Sequence, residues 1–231
     1  MKNSLKLLVT LLFLFGFTIS VKAYEFTDAE QEYINEFYGS DFYDKIDNEE
    51  YKWIKSLHID DNGYEIQHQQ ELSNILRGTV VDTAMKHIVI SKSCDSTKCF
   101  ITTNASWKSN PKVRSYDVIG ARFSGSSLIN VISTKVYSSS GTSTYSNYVN
   151  KTNGFGCSVK LPTSSNIQVI QKFNTNKSGR VYASYQHAVS NISLANSKKY
   201  TISSVGMGGV FSFNNSVASY YDNTQGVYID L

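Results

Sequence analysis

Proline, cysteine and histidine are scarce in this chain, with 2, 3 and 4 copies in 231 residues. Each shortage excludes something. Two prolines leave long stretches of Tyr, Val, Ile and Thr free to pair as strands. Four histidines with no metal-ligand spacing give no basis for a histidine-bound metal centre. Three cysteines without a Cys-x-x-Cys pair exclude a thioredoxin-like redox motif. The sequence also lacks a Gly-x-Ser-x-Gly elbow, a His-Glu-x-x-His helix and a P-loop. After residue 23 no long apolar run remains, and the chain stops at Val227-Tyr228-Ile229-Asp230-Leu231 without a hydrophobic tail. Leu161-Pro162-Thr163-Ser164 lies mid-chain and lacks the remainder of a wall-sorting signal.

What is there begins with an address. Lys2 and Lys6 precede an apolar core from Leu7 to Ile19, and Val21-Lys22-Ala23 places small residues at the −3 and −1 positions of a cleavage site. Residues 1–23 therefore read as a secretory signal peptide. A membrane span needs about 20 apolar residues, and Gly16, Thr18 and Ser20 interrupt this run before that length. Cleavage after Ala23 removes Lys2, Lys6 and Lys22, so the 22 basic residues of the chain fall to 19 against 19 acidic ones. A neutral mature chain exerts no overall pull on polyanions, so nucleic acid is not an expected partner. The expected product is secreted and extracellular, with no integral membrane span.

An exported chain permits disulfides. Cys94 and Cys99 bracket the turn-like Asp95-Ser96-Thr97-Lys98 between two β-like runs, and a hairpin would set them opposite each other within bridging distance. A Cys94–Cys99 disulfide is expected. Cys157 is then left over, as a small buried hydrophobe, a nucleophile or an intermolecular link, with the first favoured.

Helical and strand-like periods divide the rest. Thr27-Asp28-Ala29-Glu30 is a capping box leading into Tyr33, Ile34, Phe37 and Tyr38, with Gly39 as the stop. A second box at Asp47 and Glu50 leads into Tyr51, Trp53, Ile54 and Leu57. The spacing predicts an acidic two-helix element within residues 24–78. Its aromatic stripe must pack on the following domain or on another protein. From about Gly78 the period becomes two, with β-like runs spaced near ten residues apart to the end of the chain. Residues 79–231 are expected to form an antiparallel β-sandwich, jelly-roll or immunoglobulin-like. The Gly206-Met207-Gly208-Gly209 run is expected to be a turn between two strands.

Three surface or site chemistries can be built on that frame. Alternation places Asp117, Ile119 and Ala121 inward, leaving Arg114, Tyr116 and Arg122 on the opposite face; likewise Arg180, Tyr182 and Gln186 oppose Val181, Ala183 and Tyr185. Tyr rings beside guanidinium and amide groups suit a sugar or peptide ligand, the rings covering C–H surface and the polar groups meeting hydroxyls. Asn130 to Asn153 is a Ser/Thr/Tyr-rich segment around Ser138-Ser139-Ser140-Gly141 that resembles the insertion hairpin of secreted pore formers, although its apolar alternation is loose. Cys157 and His187 occur in the order used by several cysteine hydrolases, but in strand-like runs with no nucleophile signature. His58 to Gly63 imitates the front of a calcium loop but has His58 at the first position and Gln69 at the twelfth, so a turn is expected there.

The signal, the acidic Tyr-rich start and the stretch Trp107-Lys108-Ser109-Asn110-Pro111-Lys112-Val113-Arg114-Ser115-Tyr116-Asp117-Val118-Ile119-Gly120-Ala121-Arg122 give the chain its general layout. That layout resembles the small uncharacterised secreted proteins of low-GC Gram-positive bacteria. No activity is established for that group, so the resemblance assigns no functional residue. The sequence thus points to a secreted, non-catalytic binding protein with no cofactor, acting on a carbohydrate or protein ligand at the cell envelope or outside it. A membrane-active, pore-forming role is the alternative, and a cysteine-dependent wall hydrolase comes third.

Overall fold

The computed structural model describes residues 24–68, 86–151, 153–203, 210–222 and 225–231. The expected signal peptide, the start of the first β-like run at Thr79 and the glycine run at 206–209 lie outside the described residues.

Helix α1 (Asp28–Phe37) starts at the anticipated capping box. The Glu30 N–H donates to Thr27 Oγ1 at 3.2 Å, and the Thr27 N–H donates to Glu30 Oε2 at 2.9 Å. Gly39 follows with φ of +91°, a conformation that favours glycine, and the chain enters a 3₁₀ turn at Ser40–Lys45. Helix α2 (Asn48–Ser56) is capped by Asp47, which accepts from the Glu50 N–H at 2.8 Å. The second capping box stays half-formed, because the Glu50 side chain turns inward instead of back to its cap. His58 to Gly63, expected as a turn, contains the one-turn helix α3 (Ile59–Asn62) with Ile59 buried. The two-helix expectation thus gains a 3₁₀ turn and a short third helix.

Thirteen strands follow among the described residues. The first sheet has the order β1 (Glu65–His68), β2 (Lys86–Cys94), β3 (Cys99–Trp107), β9 (Gln168–Thr175), β5 (Leu128–Ser138) and β6 (Gly141–Tyr145). The second runs β13 (Gln225–Asp230), β10 (Arg180–Gln186), β4 (Tyr116–Ser124), β8 (Gly154–Lys160) and β7 (Tyr148–Lys151). All pairings are antiparallel. The two sheets form a β-sandwich, as expected. Alternate residues fill the space between them: Ile88, Ile90 and Ile101 from the first sheet meet Ile119, Phe155, Val159 and Val181 from the second. Cys94 and Cys99 are paired in register across the β2–β3 turn and form the expected disulfide.

Both outer faces carry a further layer. The N-terminal helices cover the first sheet, packing Tyr33, Phe37, Trp53 and Ile54 on Val89, Phe100, Tyr137 and Ile170. The aromatic stripe predicted from the helical period therefore packs on the domain that follows it. The second sheet is partly covered by the C-terminal segment. There helix α4 (Leu194–Ser197), the ribbon β11 (Tyr200–Ile202)–β12 (Phe211–Phe213) and helix α5 (Asn215–Ala218) surround a cluster of Tyr200, Val210, Phe211 and Tyr221. This cover fits closely because Gly120 and Gly156 face each other on β4 and β8. A Cβ on Gly156 would lie 2.4 Å from the Tyr200 hydroxyl and 2.7 Å from the Phe211 ring.

Candidate functional site

The open end of the second sheet holds the main surface constellation. Strand pairing places Tyr182 of β10 between Tyr228 of β13 and Arg122 of β4. The Tyr182 and Tyr228 rings have centroids 5.9 Å apart at 42°. The Arg122 guanidinium carbon lies 3.9 Å from the Tyr182 centroid, and that of Arg180 lies 4.4 Å from the Tyr228 centroid. Such stacking is electrostatically favourable because a cation meets the negative face of a π system. Arg180 is fixed by a two-point bond to Asp230, Nε to Oδ1 at 2.6 Å and Nη2 to Oδ2 at 3.0 Å. That bond holds the Asp230 carboxyl below its usual range. Lys92 of the first sheet donates to the Asp230 carbonyl oxygen, joining the two sheets at this edge.

The six residues singled out by alternation are therefore divided. Arg122, Arg180 and Tyr182 come together. Arg122 is nevertheless buried, where an open solvent face was expected, with its guanidinium against the Tyr182 ring. Tyr116 begins the same strand further along, with the Lys160 ammonium 5.2 Å from its ring centroid and its carbonyl accepting from the Tyr221 hydroxyl at 3.0 Å. Arg114 precedes β4 and donates to the carbonyls of Pro162 at 2.7 Å and Ser164 at 3.1 Å, so it anchors a loop. Gln186 is also buried and donates to the Asp222 carbonyl at 3.0 Å. The cause is common to these corrections: alternation names the face of a strand, but not what later chain is laid over that face.

Tyr228 and Asp230 were not singled out. The signal for them was present, since the inward Val227 and Ile229 leave Tyr228 and Asp230 on the outer face by the same period of two.

A second constellation is buried where one end of the sandwich closes. Asp117, on the inner face of β4, accepts from the Tyr185 hydroxyl, from the Ala188 N–H at 2.9 Å and from His187 Nδ1 at 3.0 Å. The Trp107 Nε1–H donates to the Tyr185 hydroxyl at 3.1 Å. Burial, with the Asp117 charge adding to it, pushes the Tyr185 hydroxyl well above its ordinary value. His187 also meets the Trp107 ring edge to face at 4.7 Å. The Asp222 carboxyl is raised, chiefly by burial, and pairs with Lys86.

The hydrolase pair finds no support in this geometry. The Cys157 thiol is buried between the sheets, where burial pushes it up to about 12, so it remains a thiol at neutral pH. The thiol donates to the Ser158 carbonyl at 3.9 Å, while the His187 ring is bonded to Asp117. The 130–153 segment forms a hairpin around Ser138–Gly141, but only over Thr134 to Tyr145. Its β5 and β6 parts pair in the first sheet and its β7 part pairs with β8 in the second.

Among the described residues no group of three or more His, Cys, Asp or Glu side chains is arranged to hold a metal ion. No helix among them is long and apolar enough to cross a membrane. No family model and no curated protein matches the chain. Among solved structures, one chain from a structure described as "pH-induced modulation of Streptococcus parasanguinis adhesion by Fap1 fimbriae" aligns over 73% of this chain and 90% of its own length, at 16% identity and a TM-score of 0.34. At that level the likeness carries no weight for function.

Proposed function

We propose that the protein is a secreted, non-catalytic binding module that meets a carbohydrate or protein ligand through the open end of its second sheet. The observation that carries this reading is the Tyr228–Tyr182–Arg122 rung with Arg180 held beside it by Asp230. Tyr182 and Tyr228 are half-exposed, and neighbouring residues already fix their orientation. A ligand arriving there would meet rigid aromatic surface at low entropic cost, with the Arg180 guanidinium at its margin. An extracellular setting agrees with the Cys94–Cys99 disulfide, since such bonds persist in oxidising compartments. The burial of Cys157, with its thiol raised, argues against the cysteine-dependent hydrolase.

The test is retention of the protein on a glycan array and on isolated cell-wall fractions, compared with the Tyr182→Ala/Tyr228→Ala double variant. Binding should fall at least tenfold in the variant while the circular dichroism spectrum is unchanged. Undiminished binding by the variant would remove this face from consideration. Rapid dye release from liposomes by the wild-type protein would instead favour the membrane-active role.

A further inference from the structure

Lys86 and Asp222 lie 136 positions apart and form a buried ion pair between the start of β2 and the segment leading to β13. Each side chain is 4% exposed. Asp222 is positioned by two reciprocal backbone contacts with His187. Its Oδ1 accepts the His187 N–H at 2.9 Å, and its own N–H donates to the His187 carbonyl at 2.9 Å. Its Oδ2 faces the Lys86 ammonium. That ammonium lies 5.4 Å from the centroid of the Tyr185 ring, and the Tyr185 hydroxyl donates to the fully buried Asp117. A primary amine and a carboxyl are thus held together away from water, with a fixed N–H on one carboxyl oxygen and a second buried carboxylate nearby.

We propose that Lys86 and Asp222 become joined by an intramolecular isopeptide bond that the folded protein forms on itself. A proton first passes from Lys86 Nζ to Asp222 Oδ2, giving a neutral amine and a carboxylic acid. Burial raises the Asp222 carboxyl's affinity for that proton, and the negative charge of Asp117 adds to the effect. The Nζ lone pair then attacks Cγ and forms the C–N bond. The charge that builds on Oδ1 is met by the His187 backbone N–H, which is already in place. A second Nζ proton moves to the Oδ2 hydroxyl, the Cγ–Oδ2 bond breaks and water leaves. The ammonium's three protons are then accounted for, two in water and one on the amide. No oxidant or other reactant is needed.

Proximity supplies the rate, since Lys86 is held by the first sheet and Asp222 by its backbone contacts with His187, instead of the two meeting by diffusion. The drive comes from replacing two desolvated charges with one neutral amide. Glu50 and Lys172 form another buried pair, but there the second carboxylate oxygen accepts from the Tyr137 side-chain hydroxyl instead of a backbone N–H. The Lys86–Asp222 bond would close a loop that contains most of both sheets and would restrict the unfolded chain accordingly.

Intact mass and peptide mapping test the proposal on the full chain, reduced and denatured so that the Cys94–Cys99 bridge does not contribute. The wild-type protein should be lighter than its sequence by one water, and a protease digest should yield a branched peptide joining the Lys86 and Asp222 fragments. Lys86→Arg, which keeps a cation beside Asp222, should have its full calculated mass. A wild-type protein at full mass would overturn the proposal. So would a branch mapped to Lys172 and Glu50, or a water loss that persists in Lys86→Arg. The wild-type branch is decisive even if a variant folds poorly.

Discussion

The two covered faces of the sandwich are held by different physics. Under the N-terminal helices the first sheet mixes apolar side chains with buried polar ones, and the polar ones meet the cover group by group. Trp53 Nε1–H donates to Thr102 at 3.1 Å, Asn104 donates to the Phe37 carbonyl at 2.9 Å and Gln168 to the Tyr38 carbonyl at 2.8 Å. At the centre, Glu50 pairs with Lys172 and accepts from Tyr137. Burial lowers the Lys172 ammonium's affinity for its proton, despite the opposing pull of Glu50. Under the C-terminal cover the middle of the second sheet is smooth, with rings lying directly on backbone at Gly120 and Gly156 and a few small-hydroxyl bonds, Ser197 to Ser158 and the Val210 N–H to Ser184, around them. A polar seam specifies one docking geometry, because any slip leaves buried groups unpaired. A smooth seam depends on shape and fails when volume is added.

The largest effect should come from breaking the polar seam at its centre. Glu50→Ala leaves the Lys172 charge buried without its partner and should cost about 3–5 kcal/mol in urea unfolding. Adding Lys172→Met should restore most of that loss; a double variant no more stable than the single one would show that the pair itself stabilises the fold. Gly156→Ala is the matching change in the smooth seam, where the new methyl displaces Tyr200 and Phe211. It should cost about 1–3 kcal/mol and leave the helical layer in place by hydrogen exchange. If it exceeded Glu50→Ala, the ranking of the two seams would be reversed. Trp53→Phe keeps the ring and removes the bond to Thr102, and about 1 kcal/mol should be lost in the same unfolding assay.

The smallest expected effect is a pH dependence confined to the helical layer. Burial alone would raise the Asp47 carboxyl, but the Glu50 N–H at the helix cap and the Lys135 ammonium outweigh it and hold the group below its usual range. A carboxyl lowered by folding binds its proton less readily in the folded state. Its contribution is therefore present above the unfolded value, near 3.8, and is lost as pH falls through the lower folded value. Asp47 is largely exposed, so solvent screening keeps the effect small. Urea midpoints measured from about pH 5 to about pH 2.5 should fall less steeply in Asp47→Asn than in the wild type.

Local chemistry made much of the fold legible. Thr27 and Glu30 marked the first helix, Asp47 the second, and the Asp95 turn brought Cys94 to Cys99. The inward faces of β4 and β10 followed from alternation at Ile119, Ala121, Val181 and Ala183. The candidate site was only half legible. Alternation placed Arg122, Arg180 and Tyr182 on one face, but the burial of Arg122 and Gln186 depends on chain that arrives later and covers that face. Glu50 likewise had the signature of a capping residue, and its diversion to Lys172 could be seen only once β9 lay beneath the helix.

By itself the sequence determined where the first two helices begin, which side of β4 and β10 faces inward, and that two cysteines would be bridged. These are short-range matters, decided by neighbours three to five positions apart or by a period of two. Tertiary structure alone decided which strands pair across the two sheets, what covers each outer face and which charges are buried together. Those outcomes join residues more than a hundred positions apart, as Lys86 and Asp222 are. A local pattern cannot encode such a meeting, because it depends on the packing of every element between them.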